Sequence, residues 1–153
     1  MIEDNLKSRG IFLSQLPSAG SYVPVIRTGN LVFLSGQIPF ENGSMPLPAK
    51  FVGKVPTQVS IEIAKQAARQ CAINAVAHLK EFVDLELITK FIRVCGYVNC
   101  EPTFTEHSKI IDGASDLLVD IFGDKGSHTR VSIGASSLPF GSVVEVEFIC
   151  QLK

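Results

Sequence analysis

Three ionisable side chains near the end of the chain have the chemistry to act on a small charged ligand. Arg130 stands in an otherwise apolar run, and Glu145 and Glu147 stand in the next one. A guanidinium presents a planar fork of N–H groups that matches a carboxylate. A glutamate can hold or activate a water molecule. If these side chains meet, the sequence indicates a site that binds a carboxylate.

Both runs alternate between apolar and polar residues, which is the pattern of strands with one buried face. A turn around residues 138–139 predicts that they form a hairpin. If the hairpin closes symmetrically, Arg130 lies opposite Glu147 and Ser132 lies opposite Glu145, all on the polar face. The structural interpretation is a cross-strand ion pair between Arg130 and Glu147, worth ~0.2–1 kcal/mol. The functional interpretation is that Arg130 clamps a carboxylate.

The four cysteines and three histidines are the other candidates for chemistry. No C-x-x-C pair occurs, and no histidine lies at metal-ligand spacing near a cysteine. The pattern therefore predicts reduced, buried thiols rather than a metal site or a disulfide framework, with Cys71 and Cys150 at core positions. A triad of a histidine with a cysteine or serine stays open, although the spacing does not indicate one.

Length and composition favour one domain over residues 1–153, with residues 1–17 as a loosely ordered lead-in and a turn over residues 17–20. The net charge of −1 argues against a nucleic-acid partner. No apolar run approaches the roughly 20 residues that span a bilayer, and the N-terminus is polar. We therefore expect a cytoplasmic protein. The sequence shows no metal-binding or phosphate-binding motif.

Hydrophobic periodicity predicts the elements that position these residues. Two helices are expected, from Thr57 as N-cap to about residue 82, and from about 105 to 122 with Gly123 as a stop signal. Strands are expected over residues 22–26, 31–34 and 91–98 and in the two final runs. The order β-β-α-β-α-β-β predicts an α+β fold, a mixed sheet with two helices packed on one face.

Gly113 lies inside the second predicted helix, where a glycine costs ~1 kcal/mol relative to alanine. One explanation is close packing of the helix on the sheet. The other is the close approach of a ligand or a neighbouring chain.

Several motifs between residues 18 and 152 match one known family. They are Tyr22-Val23, Arg27–Asn30 (RTGN), Leu34–Pro39 (LSGQIP), Gly96–Asn99 (GYVN), Asp112–Leu118 (DGASDLL), and Arg130 followed by Leu138-Pro139 and Glu145–Glu147 (EVE). On these motifs the chain resembles the reactive intermediate deaminase family, also called the YjgF family and long labelled endoribonuclease L-PSP. The resemblance implies a chorismate-mutase-like fold with the element order given above.

The resemblance also implies a function. Active members of the family are homotrimers that hydrolyse 2-imino acids to 2-oxo acids and ammonia in clefts between subunits, without a cofactor. Arg130 matches the family's arginine that binds the substrate carboxylate, and Glu145 matches the glutamate that orients water. Tyr22, Ser35 and Gly36 match other positions of the cleft.

Two further cleft positions depart from the family pattern. Ser132 stands where a cysteine is frequent, and Gly113 stands where the deaminases often have an asparagine. Both are included in the expected substrate-binding set. These departures keep a second hypothesis open, a non-catalytic trimer that binds a small carboxylate metabolite or a partner protein. An endoribonuclease is the third hypothesis, and the charge of the chain argues against it.

Overall fold

The fold is a single mixed sheet with helices on one face. The computed structural model describes residues 1–17 and 20–153. Its helices and strands are α1 Ile2–Ser8, β1 Val25–Thr28, β2 Leu31–Leu34, α2 Ile61–Phe82, β3 Ile88–Asn99, α3 His107–Phe122, β4 Thr129–Ala135 and β5 Val144–Leu152. The strand order is β1-β2-β5-β3-β4, with β3 and β4 parallel and the other neighbours antiparallel. The predicted α+β class and element order are confirmed.

The core lies between the sheet and the helices α2 and α3. Strand β5 runs through the middle of the sheet, and alternate residues from Val144 to Leu152 are buried along it. Small residues dominate the buried face of α2, among them Ala64, Ala68 and Cys71. Because these side chains are short, the helix lies close to its neighbours. The predicted core positions of Cys71 and Cys150 are confirmed, and the described cysteines are free thiols.

The predicted hairpin of the two final runs is wrong. Strand β4 pairs with β3 alone, and β3 separates it from β5. The helix α3 carries the chain from β3 over the sheet to β4, which makes these two strands parallel, as in a βαβ unit. The segment 136–143 then crosses β3 to reach β5. Consequently Arg130 does not lie opposite Glu147, and Ser132 does not lie opposite Glu145.

The expectation that all four polar side chains share one face is also wrong. Arg130 pairs with Val94, which is buried under the helices, whereas Ile133 pairs with Tyr97 on the uncovered face. Arg130 and Ser132 therefore point toward α3, while Glu145 and Glu147 point to the uncovered face. Because β4 is an edge strand, its apolar residues do not have to face the core.

The prediction that residues 1–17 are a loosely ordered lead-in is wrong for the first part of that segment. Residues 2–8 form α1, whose Ile2 and Leu6 are buried in the core. The helix is held to the body at its start and in its middle, since Ile2 N donates to Glu86 Oε1 (2.8 Å) and Asn5 Nδ2 donates to Ile121 O (2.7 Å). The predicted turn over residues 17–20 includes residues 18 and 19, which lie outside the described residues.

The observed boundaries of three other elements can be compared with the predicted ones, and two of them differ by a few residues. Helix α2 begins after Ser60, whose Oγ accepts from Ile63 N (3.2 Å), whereas the predicted cap Thr57 donates to Glu101 Oε1 (2.7 Å). Strand β1 begins at Val25, directly after Pro24, because a proline has no N–H for the ladder. The predicted stop of α3 at Gly123 is confirmed, with a φ of 60° at that residue.

Gly113 is needed for the packing of one helix on another. A Cβ at this position would overlap the carbonyl of Lys65 in α2, with the Lys65 carbonyl carbon only 3.0 Å away. The glycine thus allows close contact between α2 and α3 rather than between a helix and the sheet. No helix of the described residues is long and apolar enough to cross a membrane.

Candidate active site

Four of the expected site residues lie together in a cleft around Glu145. The cleft has a volume of ≈ 390 Å³ and is lined by Tyr22, Ser35, Gly36, Ile38, Pro139, Phe140 and Glu145. Glu145 projects from the central strand β5, and Ser35 and Gly36 follow directly after β2. The short turn Pro139–Gly141 supplies the other wall. The sequence motifs therefore identify residues that the fold brings to one place.

Hydrogen bonds fix the backbone around Ser35, and the adjacent glycine leaves room for the carboxyl of Glu145. Ser35 N donates to Pro24 O (2.9 Å), and its hydroxyl donates to Val23 O (2.8 Å). The adjacent Gly36 has no side chain where the carboxyl of Glu145 lies, and a Cβ there would be 3.1 Å from Glu145 Cδ. A side chain at position 36 would thus displace Glu145 from the cleft.

The carboxyl of Glu145 is less acidic than an ordinary glutamate. Burial raises its pKa, and the nearby charge of Glu147 raises it further. Glu147 in turn accepts a hydrogen bond from Tyr97 Oη (3.2 Å). Burial and the Glu147 carboxylate raise the pKa of Tyr97 to about 12, so its hydroxyl stays protonated as the donor. The structural partner of Glu147 is therefore Tyr97, where the sequence predicted Arg130.

A smaller cavity of ≈ 40 Å³ adjoins this cleft and reaches α2, where Asn74 and His78 line it. Asn74 Nδ2 donates to Ile38 O (3.0 Å) and Phe40 O (2.9 Å), which holds the segment after Gly36 in place. Burial lowers the pKa of His78, which favours the neutral imidazole. The sequence analysis missed both residues. Their four-residue spacing on a mostly apolar helix face was the available signal.

Arg130 lies in a second group of polar residues, against α3. Its Nη1 donates to Asp112 Oδ1 (2.7 Å) and Ser115 Oγ (3.0 Å), and its Nη2 donates to Ser108 Oγ (2.7 Å). The sequence analysis did not identify these three partners. Their spacing of four and three residues places them on one face of a helix, so the pattern was present in the sequence.

His128 fixes the direction of the hydrogen bonds around Ser115. His128 Nδ1 lies 2.6 Å from Gly126 O, and His128 Nε2 lies 2.8 Å from Ser115 Oγ. A carbonyl only accepts, so Nδ1 carries a proton, and in the neutral imidazole Nε2 accepts from the serine hydroxyl. Ser115 Oγ therefore turns its lone pairs toward Arg130.

The remaining expected residues differ in their surroundings. Ser132 follows Arg130 on the same side of β4, and its Oγ is buried without a hydrogen-bond partner among the residues that the structure describes. Gly113 packs on Lys65 and belongs to neither group. Within one chain, Arg130 and Ser132 are therefore separated from Glu145, on the opposite face of the sheet and with β3 between them.

Other pairs of reactive side chains lie outside these groups. Cys100 Sγ is 3.5 Å from His107 Nε2, and burial raises the pKa of the Cys100 thiol, which favours its neutral form. Across residues 1–17 and 20–153, no three histidine, cysteine, aspartate or glutamate side chains are grouped so that they could hold a metal ion.

Comparisons with known proteins agree with this fold over nearly the whole chain. A structure of the protein Atu1372 "with unknown function" from Agrobacterium tumefaciens is 37% identical, with a TM-score of 0.88 over 99% of this chain and 92% of that one. A "putative endoribonuclease" from Shewanella oneidensis is 30% identical, with a TM-score of 0.92 over 99% of both chains.

The sequence comparisons extend the same likeness. "Protein TCP17" from Trypanosoma cruzi is 32% identical over 97% of this chain and 92% of that protein. The family described as "YjgF/chorismate mutase-like, putative endoribonuclease" matches residues 3–152. Together with the fold and the motifs around Glu145 and Arg130, this match shows that the chain belongs to the YjgF/chorismate-mutase-like family.

Proposed function

We propose that the chain hydrolyses reactive 2-imino and enamino acids to 2-oxo acids and ammonia, without a cofactor, in a cleft between the subunits of a cytoplasmic homotrimer. The observation that carries this proposal is the carboxyl of Glu145, which lies in a cleft of ≈ 390 Å³ beside Ser35 and Gly36. Burial and Glu147 raise its pKa. A carboxyl with a raised pKa exchanges protons with a bound water more readily near neutral pH.

The reaction needs one water molecule and no other reactant. The substrate enters as the protonated imine. Glu145 takes a proton from the water as the water oxygen bonds to the imine carbon, and the C=N electron pair moves to nitrogen, which becomes an amino group. Glu145 then returns this proton to the nitrogen. The C–N bond breaks and ammonia leaves as the hydroxyl oxygen forms the carbonyl, and the hydroxyl proton passes to the Glu145 carboxylate. An imine carbon is already electrophilic, so positioning the water and the substrate supplies most of the rate. Arg130 would hold the substrate carboxylate, and Tyr22 and Ser35 would line the cleft.

The positions of Arg130 and Glu145 support a site made by two chains. In one chain these residues lie on opposite faces of the sheet, with β3 between their strands. Neighbouring strands are ~4.8 Å apart, so β3 alone separates the two strands by about 10 Å. A small 2-imino acid contacts both side chains only if Arg130 comes from a second copy. Arg130 and Ser132 lie on an edge strand, where a second copy can approach.

Removal of either residue tests the proposal directly. We expect Arg130→Ala and Glu145→Gln each to lower imine hydrolysis by about 10²–10⁴-fold. Semicarbazide traps the imine that the enzyme does not hydrolyse, so the measurement is how far each variant decreases the yield of semicarbazone. Gln keeps the shape of Glu but cannot take the proton. The control is Glu62→Gln, an exposed change in the first turn of α2, which should retain full activity. Full activity in Arg130→Ala would contradict the proposal.

Mixing the two inactive variants tests whether the site lies between chains. If each site uses Arg130 of one chain and Glu145 of its neighbour, co-expressed variants form about a quarter of their sites with both residues intact. Activity should therefore return in the mixture to about a quarter of the wild-type value. Activity as low as that of either variant alone would place both residues in one chain's site or remove them from the reaction.

The second candidate function is binding of a small carboxylate without turnover. The contacts of Arg130 are compatible with binding alone. Its terminal nitrogens are already bonded to α3, an arrangement that fixes the guanidinium whether or not a reaction follows. Calorimetry with 2-oxobutanoate, pyruvate and benzoate, beside the trapping assay, separates the candidates, because binding without hydrolysis supports the second. The endoribonuclease names of relatives would apply here only if ribonuclease activity copurified with the oligomer and survived Arg130→Ala.

A further inference from the structure

Asp112 occupies the part of Arg130 that a substrate carboxylate would need. A carboxylate binds a guanidinium best with two parallel hydrogen bonds to the fork of N–H groups. Here Asp112 Oδ1 accepts from Nη1 (2.7 Å), and Ser108 Oγ accepts from Nη2 (2.7 Å). The ion pair is only partly shielded, since the side chains of Arg130 and Asp112 are 21% and 44% exposed. Asp112 thus lies where an incoming ligand can displace it.

We propose that Asp112 is a specificity-determining residue that competes with the substrate's carboxylate for Arg130. This inference rests on the proposed function, in which Arg130 binds a carboxylate. A second carboxylate at the same guanidinium meets the charge of Asp112, and like charges at this distance repel each other. Binding of an anionic substrate therefore requires Asp112 to turn away from Arg130 toward solvent. The competition keeps the affinity for carboxylates low.

Arg130 keeps its position when Asp112 turns away. Ser115 remains an acceptor for Nη1, since a guanidinium only donates. Ser108 remains an acceptor for Nη2. The two serines therefore hold the guanidinium in place, and Asp112 contributes mainly charge.

The test compares two charge-removing variants of α3 in the full-length protein. Asp112→Asn keeps the shape of the side chain and removes its charge from Arg130. Asp116→Asn removes the same charge one turn later, from a side chain that is 68% exposed and whose nearest cation is Lys65, 3.9 Å away. Isothermal calorimetry with 2-oxobutanoate gives the affinity of each variant, and the uncharged 2-oxobutanamide serves as the ligand control.

We expect Asp112→Asn to bind 2-oxobutanoate at least about tenfold more tightly than the wild type, and Asp116→Asn to stay within about twofold of it. The affinity for 2-oxobutanamide should not change in either variant. Unchanged or weaker binding of 2-oxobutanoate in Asp112→Asn would overturn the inference, as would an equal gain in Asp116→Asn.

A measurement on the wild type keeps the inference testable if Asp112→Asn does not fold. A crystal structure with bound 2-oxobutanoate should show the ligand on Arg130 and Asp112 turned away from it. A ligand bound elsewhere, with the Asp112–Arg130 pair intact, would overturn the inference. These readouts measure binding, so tighter binding in Asp112→Asn without imine hydrolysis in any variant would refute the proposed function and leave the competition in place.

Discussion

At the scale of single residues, Glu145 shows how the cleft changes the chemistry of one carboxyl. Burial raises its pKa, and the Glu147 carboxylate acts in the same direction. Among the described residues no arginine or lysine is a cause that lowers this pKa, and Arg130 faces α3 instead. The folded protein therefore holds a proton on Glu145 more tightly than the unfolded chain does, and this difference links the cleft to stability.

We predict that Glu145→Gln stabilises the protein at neutral pH. A group with a raised folded pKa contributes stability that is fully present below its ordinary pKa of 4.5 and is lost as the pH rises through the folded value. Gln does not ionise, so the free energy of unfolding of the variant should exceed that of the wild type at pH 7 and match it near pH 4. Chemical denaturation at a fixed protein concentration measures both. A variant less stable than the wild type at pH 7 would contradict the prediction.

The resemblance of the sequence motifs to a known family predicted part of the candidate site. Tyr22, Ser35, Gly36 and Glu145 were expected in one cleft, and the structure brings them together. The contacts of Arg130 were not expected, because alternation along a strand does not say which of its two faces the helices cover. The face that a strand residue occupies depends on its partner in the neighbouring strand. Arg130 pairs with Val94 and therefore points toward α3. A search for polar residues at helical spacing would have found its partners.

At the scale of elements, the crossover through α3 decides where the site residues lie. Periodicity identified α2, α3 and the central strands, because each buries a continuous apolar face. It could not tell a hairpin from a strand at the sheet edge, since the segment 136–143 is long enough for either connection. The same crossover places α3 beside α2, and Gly113 lies where the two helices come close together.

We predict that Gly113→Ala destabilises the protein although alanine favours helices. The intrinsic preference gains ~1 kcal/mol, but the new methyl group overlaps the backbone carbonyl of Lys65, which cannot move without shifting α2. Overpacking of this kind costs roughly 1–3 kcal/mol, sometimes more. We therefore expect Tm to fall by a few degrees, on the order of 2–4 °C per kcal/mol of net loss. Thermal unfolding followed by circular dichroism measures it.

The matched control for this variant is Asp120→Ala, an exposed change on the same helix. It gains the helix preference of alanine without a new contact, so its Tm should equal or exceed that of the wild type. A Tm for Gly113→Ala at or above the wild-type value would show that α2 and α3 are not in close contact at this position.

At the scale of the whole molecule, the helices cover one face of the sheet and leave the other open. Large apolar side chains remain on that face, including Phe33 and Ile133 at 37% and 46% exposure. Apolar groups left exposed on a sheet stabilise association when a second copy covers them. Covering this face with further copies is the physical basis for the proposed trimer.

We predict that Ile133→Asp dissociates the proposed trimer and abolishes the proposed imine hydrolysis. An aspartate loses its hydration when the face is covered, and this desolvation costs several kcal/mol unless the charge is paired. The control is Val119→Asp, which places the same charge at an apolar residue of similar exposure, 44%, on α3. Analytical ultracentrifugation should show Ile133→Asp as a 16.6 kDa monomer and Val119→Asp as an active trimer. An Ile133→Asp trimer with wild-type activity would show that this face does not form the interface. A monomeric active wild type would show that one chain suffices for catalysis.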